Sequence, residues 1–292
     1  MKTFYCHSKQ PKYSIKRSLH ILIALMVITV LIFIASGCNG SSLKPSDTQT
    51  SATVKISEDS QTSETEITGE DSEDMATTNI TKTKENEISI PQGEISFKTE
   101  DDININGNIF GNFDSLVILS HMFPTDQTSW FKFAEFLNEN NIAALTYDFR
   151  GYGKSEGKKD IPDIYRDLQA ALKFLSQFDL NKIYLMSASM GGTASINVTS
   201  KSNISGIITI SAPDEFQGIS AKDEIKNLDC SKLFIASKKD TYAFKSANYF
   251  YDNSAEPKEQ LTLEGKSHGT FIFDEEPENG DKIKEAVIKF LK

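Results

Sequence analysis

Cysteine and histidine are scarce in this chain, with three Cys and four His among 292 residues. Three thiols cannot build a disulfide framework. Cys6 and Cys38 both lie near the N-terminus, so the bulk of the chain holds Cys230 alone. It stands in NLDCSKLFIAS, at the entry to an apolar strand, where a small core residue is expected. His7 and His20 fall in the N-terminal segment too, leaving His121 and His268. Two distant histidines with no CxxC and no HExxH argue against a zinc site. The glycine-rich stretches GNIFG and GYGKSEG lack the Lys and Ser/Thr spacing of a phosphate loop. No metal and no cofactor are therefore expected. Internal repeats are absent, and no insertion is long enough for a large lid domain.

The N-terminus reads as an address. Lys2, Lys9, Lys12, Lys16 and Arg17 form a basic flank without an acidic residue. Ile21–Ala35 is an uncharged, mostly apolar run, shorter than the roughly twenty residues that span a bilayer. It ends in Ala35-Ser36-Gly37-Cys38, which resembles the bacterial lipobox. That resemblance implies a signal peptide over 1–37, cleavage before Cys38 and a lipid on its sulfur. Leucine is usual where Ala35 stands. The alternative is an uncleaved single transmembrane anchor. Either way the basic flank stays inside and the remaining chain is extracytoplasmic, held at the cell membrane.

Residues 39–90 have no aromatic side chain and are rich in Ser, Thr, Glu and Asp. Such a segment cannot bury enough apolar surface to offset its ordering entropy, so a disordered tether is expected. Removing the five leader cations takes the net charge from −10 to −15. That balance disfavours nucleic acid and anionic lipid as partners.

Residues 91–292 suffice for one sizeable core. EISFKT and INGNIFG alternate apolar with polar, as half-buried antiparallel strands do. SLVILSH, IAALTYDF, KIYLMS, ISGIITIS, KLFIAS and EQLTLEG read as further strands. Between them lie segments with helical spacing: Trp130, Phe133, Ala134 and Leu137, then Leu168, Ala171, Leu172 and Leu175, and the closing DKIKEAVIKFL. This alternation predicts an α/β fold, a mostly parallel sheet with helices on both faces. Ligands in such sheets sit at the carboxyl ends of the strands.

Candidate chemistry falls at those ends. Ser189 follows KIYLMSA in LMSASMGGTAS and precedes Met190-Gly191-Gly192, which reads as the first turn of a helix. A nucleophile elbow is usually G-x-S-x-G, and Ser187 replaces its first glycine. A hydroxyl needs a base, and His268 in LEGKSHGTFIF is the single histidine C-terminal to Ser189. Asp240, directly after LFIASKK, is the leading acid to orient it; Asp229 lies before that strand and Asp252 at the far end of the next helix pattern. The order Ser189, Asp240, His268 is that of the α/β-hydrolase triad. Ser187 as nucleophile is the other reading of the motif.

LSHMFPTDQTSW, ALTYDFRGYGKSEG, MSASMGG, IASKKD and GKSHG together resemble an α/β-hydrolase of the small esterase or dienelactone-hydrolase-like group, over nearly all of Ile95–Lys292. The resemblance implies a serine hydrolase of carboxylesterase type, acting on a small-molecule ester or, less readily, an amide. It implies an oxyanion hole from the backbone N–H groups of Met190 and Phe123. Met122 occupies a position where glycine is common, and could be the donor instead. His121 is expected to be structural. Pocket walls are expected among Phe123, Trp130, Tyr152, Pro213 and Phe216, all equally consistent with packing. The rival class is a non-catalytic binding or scaffolding lipoprotein that keeps the fold.

Overall fold

The computed structural model describes residues 89–292. The leader, Cys38 and all but the last two residues of the tether lie outside the described residues. Among the described residues, no helix is long and apolar enough to cross a membrane.

The chain opens with two strands, β1 (Gly93–Lys98) and β2 (Asn104–Phe110), and then reaches β3 (Ser115–Ser120). Helix α1 (Phe131–Glu139), strand β4 (Ala143–Tyr147), helix α2 (Ile164–Leu175), strand β5 (Lys182–Ala188) and helix α3 (Met190–Thr199) follow. After β6 (Gly206–Ile210) comes a small hairpin, β7 (Glu215–Phe216) with β8 (Ile219–Ser220). Strand β9 (Ser231–Ser237), helix α4 (Thr241–Asn253) and strand β10 (Lys258–Leu263) lead to the short α5 (Ile272–Glu275) and the closing α6 (Pro277–Leu291).

Eight strands form one sheet in the order β1-β2-β4-β3-β5-β6-β9-β10. β1 and β2 pair antiparallel, as does β2 with β4, and every later pairing is parallel. The alternation of side chains explains the two cores. Leu116 and Ile118 of β3 point to one face, with Leu168 and Ala171 of α2, Met190 of α3 and Phe250 of α4. Val117 and Leu119 point to the other, with Phe133 and Leu137 of α1 and Ile283 and Val287 of α6. Each fully buried Leu, Ile or Val contributes about 1.5–3 kcal/mol, so continuous apolar strands need helices on both sides.

Trp130 belongs to a turn of 3-10 helix (Gln127–Trp130) before α1 and is completely buried, so it is core and not a pocket wall. Lys232 is a buried cation inside β9, its Nζ donating to the carbonyls of Leu228 (3.1 Å) and Cys230 (2.5 Å). Cys230 itself is a free, partly buried thiol.

From β3 the chain moves outward to β4, then crosses back to β5 on the other side of β3. The reversal leaves a crevice at the carboxyl ends of β3 and β5, where His121 and Ser189 stand.

Candidate active site

Ser189 sits between β5 and α3 with φ 48° and ψ −120°. A non-glycine residue in that region stores about 1–3 kcal/mol of backbone strain. Neighbouring contacts hold it there. The Ser189 N–H donates to Ile210 O at 2.9 Å, and the Ser189 carbonyl accepts from Gly192 (2.8 Å) and Thr193 (3.2 Å). The helix starts so close to β3 that a Cβ on Gly191 would lie 2.7 Å from His121 O and 2.9 Å from Ser120 O. Glycine is required there for the turn to close. Ser189 occupies the N-cap position of α3, yet its side chain makes no cap hydrogen bond.

Ser187 fits where glycine is usual because its hydroxyl has a partner. Its Oγ lies 2.6 Å from Ser195 Oγ on α3, and both residues are completely buried. That arrangement joins strand to helix and leaves the Ser187 hydroxyl buried and hydrogen-bonded.

Asp240 is the N-cap residue of α4, a position where Asp normally bonds the helix N–H groups. Here it makes no cap bond. Its Oδ2 instead meets His268 Nδ1 at 2.6 Å. Asp240 is mostly buried and His268 partly exposed. The acid–imidazole pair expected from the sequence is thus formed, whereas Asp229 and Asp252 are exposed and at other ends of their elements. Gly269, with φ 56°, lies against the Met122 sulfur, and a Cβ on it would be 3.5 Å from Ala188. The residue after His268 therefore packs beside the residue before Ser189. The Ser189 hydroxyl makes no hydrogen bond to His268 among the described residues. Catalytic hydrogen bonds are often long before substrate binds and tighten in the reacting complex.

The expected oxyanion loop is held from behind. The Met122 carbonyl accepts from Thr125 N (3.0 Å) and Thr125 Oγ1 (3.0 Å), and faces His121 Nδ1 at 2.9 Å. His121 Nε2 accepts the Phe149 N–H at 3.0 Å, so the ring proton is on Nδ1 and donates to Met122 O. Burial pushes the His121 pKa down to about 4, consistent with that neutral tautomer. His121 is structural, as expected. With the Met122 carbonyl turned toward Thr125, the trans peptide aims the Phe123 N–H the opposite way. Neither the Phe123 nor the Met190 N–H makes a hydrogen bond among the described residues.

The charged residues of the YDFRGYGKSEG loop are anchors. Asp148 accepts from Gln127 N (2.9 Å), Gln127 Nε2 (3.0 Å) and Lys154 N (2.9 Å). Arg150, almost completely buried, pairs with Asp167 of α2 at 2.8 Å and with Asp101 at 2.9 Å. The Arg150 guanidinium hydrogen bond is the main cause holding the Asp101 carboxyl down to about 2. Sequence reading missed Gln127, Asp101 and Asp167. One signal for Asp167 was present: it lies three residues after Ile164 and next to Leu168, inside the apolar stripe of α2.

Large hydrophobic side chains left exposed among the described residues are Phe123, Tyr242 and Phe271. Each lies near a candidate site residue in sequence: Phe123 in the expected oxyanion loop, Tyr242 at the start of α4 after Asp240, and Phe271 in the turn after His268. Phe123 packs beside Phe216 of the β7–β8 hairpin, ring centroids 6.2 Å apart, and Tyr242 Oη donates to Glu215 O at 3.3 Å. Tyr152 is buried beside His121, ring centroids 5.0 Å apart, and belongs to the packing.

Sheet order, crossover and elbow can be compared with known proteins. An esterase from Pyrococcus furiosus superposes with a TM-score of 0.58 at 19% identity, covering 69% of this chain and 92% of its own. An esterase from Exiguobacterium antarcticum gives 0.59 at 15% identity, over 68% of this chain and 99% of its own. A thermophilic esterase from Thermogutta terrifontis gives 0.56 at 16%, over 68% and 99%.

The domain has the α/β-hydrolase fold.

The Hydrolase_4 family model, described as serine aminopeptidase S33, matches residues 111–217. That part of the α/β-hydrolase fold holds the expected oxyanion loop, the YDFRGYGKSEG loop and Ser189. It ends before Asp240 and His268, so the second half of the site rests on the geometry above.

Proposed function

We propose that this protein is a serine hydrolase that cleaves an apolar carboxylic ester, and less readily an amide, through an acyl-enzyme. The observation that carries the reading is the 2.6 Å Asp240–His268 contact beside a strained, uncapped Ser189. Likeness to esterases and to the serine aminopeptidase family model supports it.

Ser189 Oγ attacks the ester carbonyl carbon while His268 Nε2 takes its proton. Asp240 holds the Nδ1–H and stabilises the imidazolium. The tetrahedral oxyanion is received by the N–H groups of Met190 and Phe123, each such donor being worth about 2.7–4 kcal/mol. The helix dipole of α3 adds favourable potential at the same point. Collapse breaks the ester C–O bond, and the imidazolium returns its proton to the leaving alkoxide. Water, deprotonated by His268, then attacks the acyl carbon and restores Ser189. Phe123, Phe216, Tyr242 and Phe271 favour apolar groups on the substrate.

The enzyme is placed on the outer face of the cell membrane by a lipid on Cys38, with residues 39–90 as its tether, and nucleic acid is not a partner. Turnover of p-nitrophenyl butyrate tests the catalytic reading, and Ser189→Ala is expected to abolish it while leaving the circular dichroism spectrum intact. Undiminished turnover by that variant would show the assignment to be wrong. Metabolic labelling with a radioactive fatty acid tests the anchor: label is expected in the wild type and lost in Cys38→Ala, and label persisting in that variant contradicts it.

A further inference from the structure

We infer that Glu276 is a positioning residue, a carboxylate clamp that sets the turn carrying His268 so that the imidazole faces Ser189; the inference rests on the hydrolase reading above. Asp240 holds the His268 ring through one atom, Nδ1. A single hydrogen bond leaves the ring free to pivot about it. His268 has 38% of its side chain exposed, so packing restrains it only in part. The direction of Nε2 then depends on the backbone from Gly265 to Gly269.

Glu276 fastens that backbone. It stands between α5 and α6, immediately before Pro277, which forces it out of the helical region to φ −136° and ψ 68°. From this kink its Oε1 accepts the N–H groups of Lys266 at 2.9 Å and Ser267 at 3.1 Å. Its Oε2 accepts from Asn279 Nδ2 at 2.8 Å, which orients the carboxylate from α6. Ser237 at the end of β9 completes the attachment, its Oγ donating to Ser267 O at 2.9 Å. The Lys266 N–H above all, with Asn279 and Ser267, holds the Glu276 carboxyl down to about 2, so the acceptor stays ionised. Behind the turn lies an open polar cleft of about 570 Å³, lined by Lys239, Glu264, Lys266 and Lys282. Ser267 is buried and its Oγ also donates to Glu275 Oε2 at 2.6 Å, but the Lys266 and Ser267 N–H groups have no acceptor other than Glu276 among the described residues.

Three variants measured side by side test the clamp: Glu276→Ala, Glu276→Gln and Ile283→Val, the last a core change on the same helix. With p-nitrophenyl butyrate, Glu276→Ala is expected to lower kcat roughly 10–100-fold, the scale of an ~1 Å misplacement of a reacting group, with KM little changed. Glu276→Gln keeps an acceptor for the two N–H groups and recovers most of that loss. Ile283→Val lowers Tm but leaves kcat unchanged. Hydrogen exchange at the Lys266 and Ser267 amides accelerates in Glu276→Ala and not in Ile283→Val. Wild-type kcat in a folded Glu276→Ala, or a loss that merely follows Tm across all three proteins, overturns the clamp while leaving the hydrolase reading standing. A wild type inert toward esters and toward a fluorophosphonate probe overturns both.

Discussion

His121 makes the stability of this domain depend on pH between neutrality and about pH 4. Its Nε2 accepts the Phe149 N–H and its Nδ1–H donates to Met122 O, so both ring nitrogens are used only in the neutral form. Burial is the main cause that lowers its pKa to about 4. In the unfolded chain a histidine titrates near 6.5. Between those values the unfolded state binds a proton that the native state refuses, so the His121 contribution is full above about 6.5 and falls as the solution is acidified. The slope approaches 1.4 kcal/mol per pH unit, and from pH 7 to pH 5 the loss integrates to about 2 kcal/mol. Asp101 and Glu276, both with carboxyls held down to about 2, keep their contribution until the pH falls into the ordinary carboxylate range. Asp167, whose carboxyl burial raises to about 6, acts in the same window with the opposite sign, so the wild-type change is smaller than the His121 part alone. Urea unfolding at pH 7 and pH 5 measures the difference. His121→Asn is expected to be less stable at pH 7 but to lose about 2 kcal/mol less than the wild type over the same interval. The same pH dependence in both proteins would refute the burial argument and the tautomer with it.

Other perturbations separate the parts of the site. Asp240→Asn keeps the shape but loses the charge opposite His268, so kcat for an ester is expected to fall by roughly 10³–10⁴ with little change in Tm. Arg150→Met strands the buried Asp167, and removing one partner of such a pair costs about 3–5 kcal/mol, measured as a large drop in the urea midpoint. Ser187→Ala orphans Ser195 at a cost of about 1 kcal/mol, and leaves esterase kcat within a few-fold of wild type.

Much of this organisation is legible in the sequence because it is written in local pattern. Continuous apolar runs such as SLVILS and AALTY predict strands covered on both faces, and the structure has them as β3 and β4. The acid and base are legible from position: Asp240 follows an apolar strand, His268 stands alone, and the two meet at 2.6 Å. What escapes the sequence is partnership over distance. Asp101 and Asp167 meet Arg150 across 49 and 17 residues, and nothing local in Asp101 reveals it. The β7–β8 hairpin has two residues in each strand, too short for any periodicity. Ser187 shows the same limit from the other side. Read alone it is a departure from glycine, and its fit becomes evident only with Ser195, one helix turn and more away, buried against it.

The central claim is that Ser189 is a nucleophile activated by His268 and Asp240, and covalent labelling tests it most directly. A fluorophosphonate probe, followed by peptide mass spectrometry, is expected to give one adduct on Ser189. That adduct disappears in Ser189→Ala and forms far more slowly in His268→Ala. An adduct on Ser187, or no adduct on a folded wild-type protein, would contradict the account.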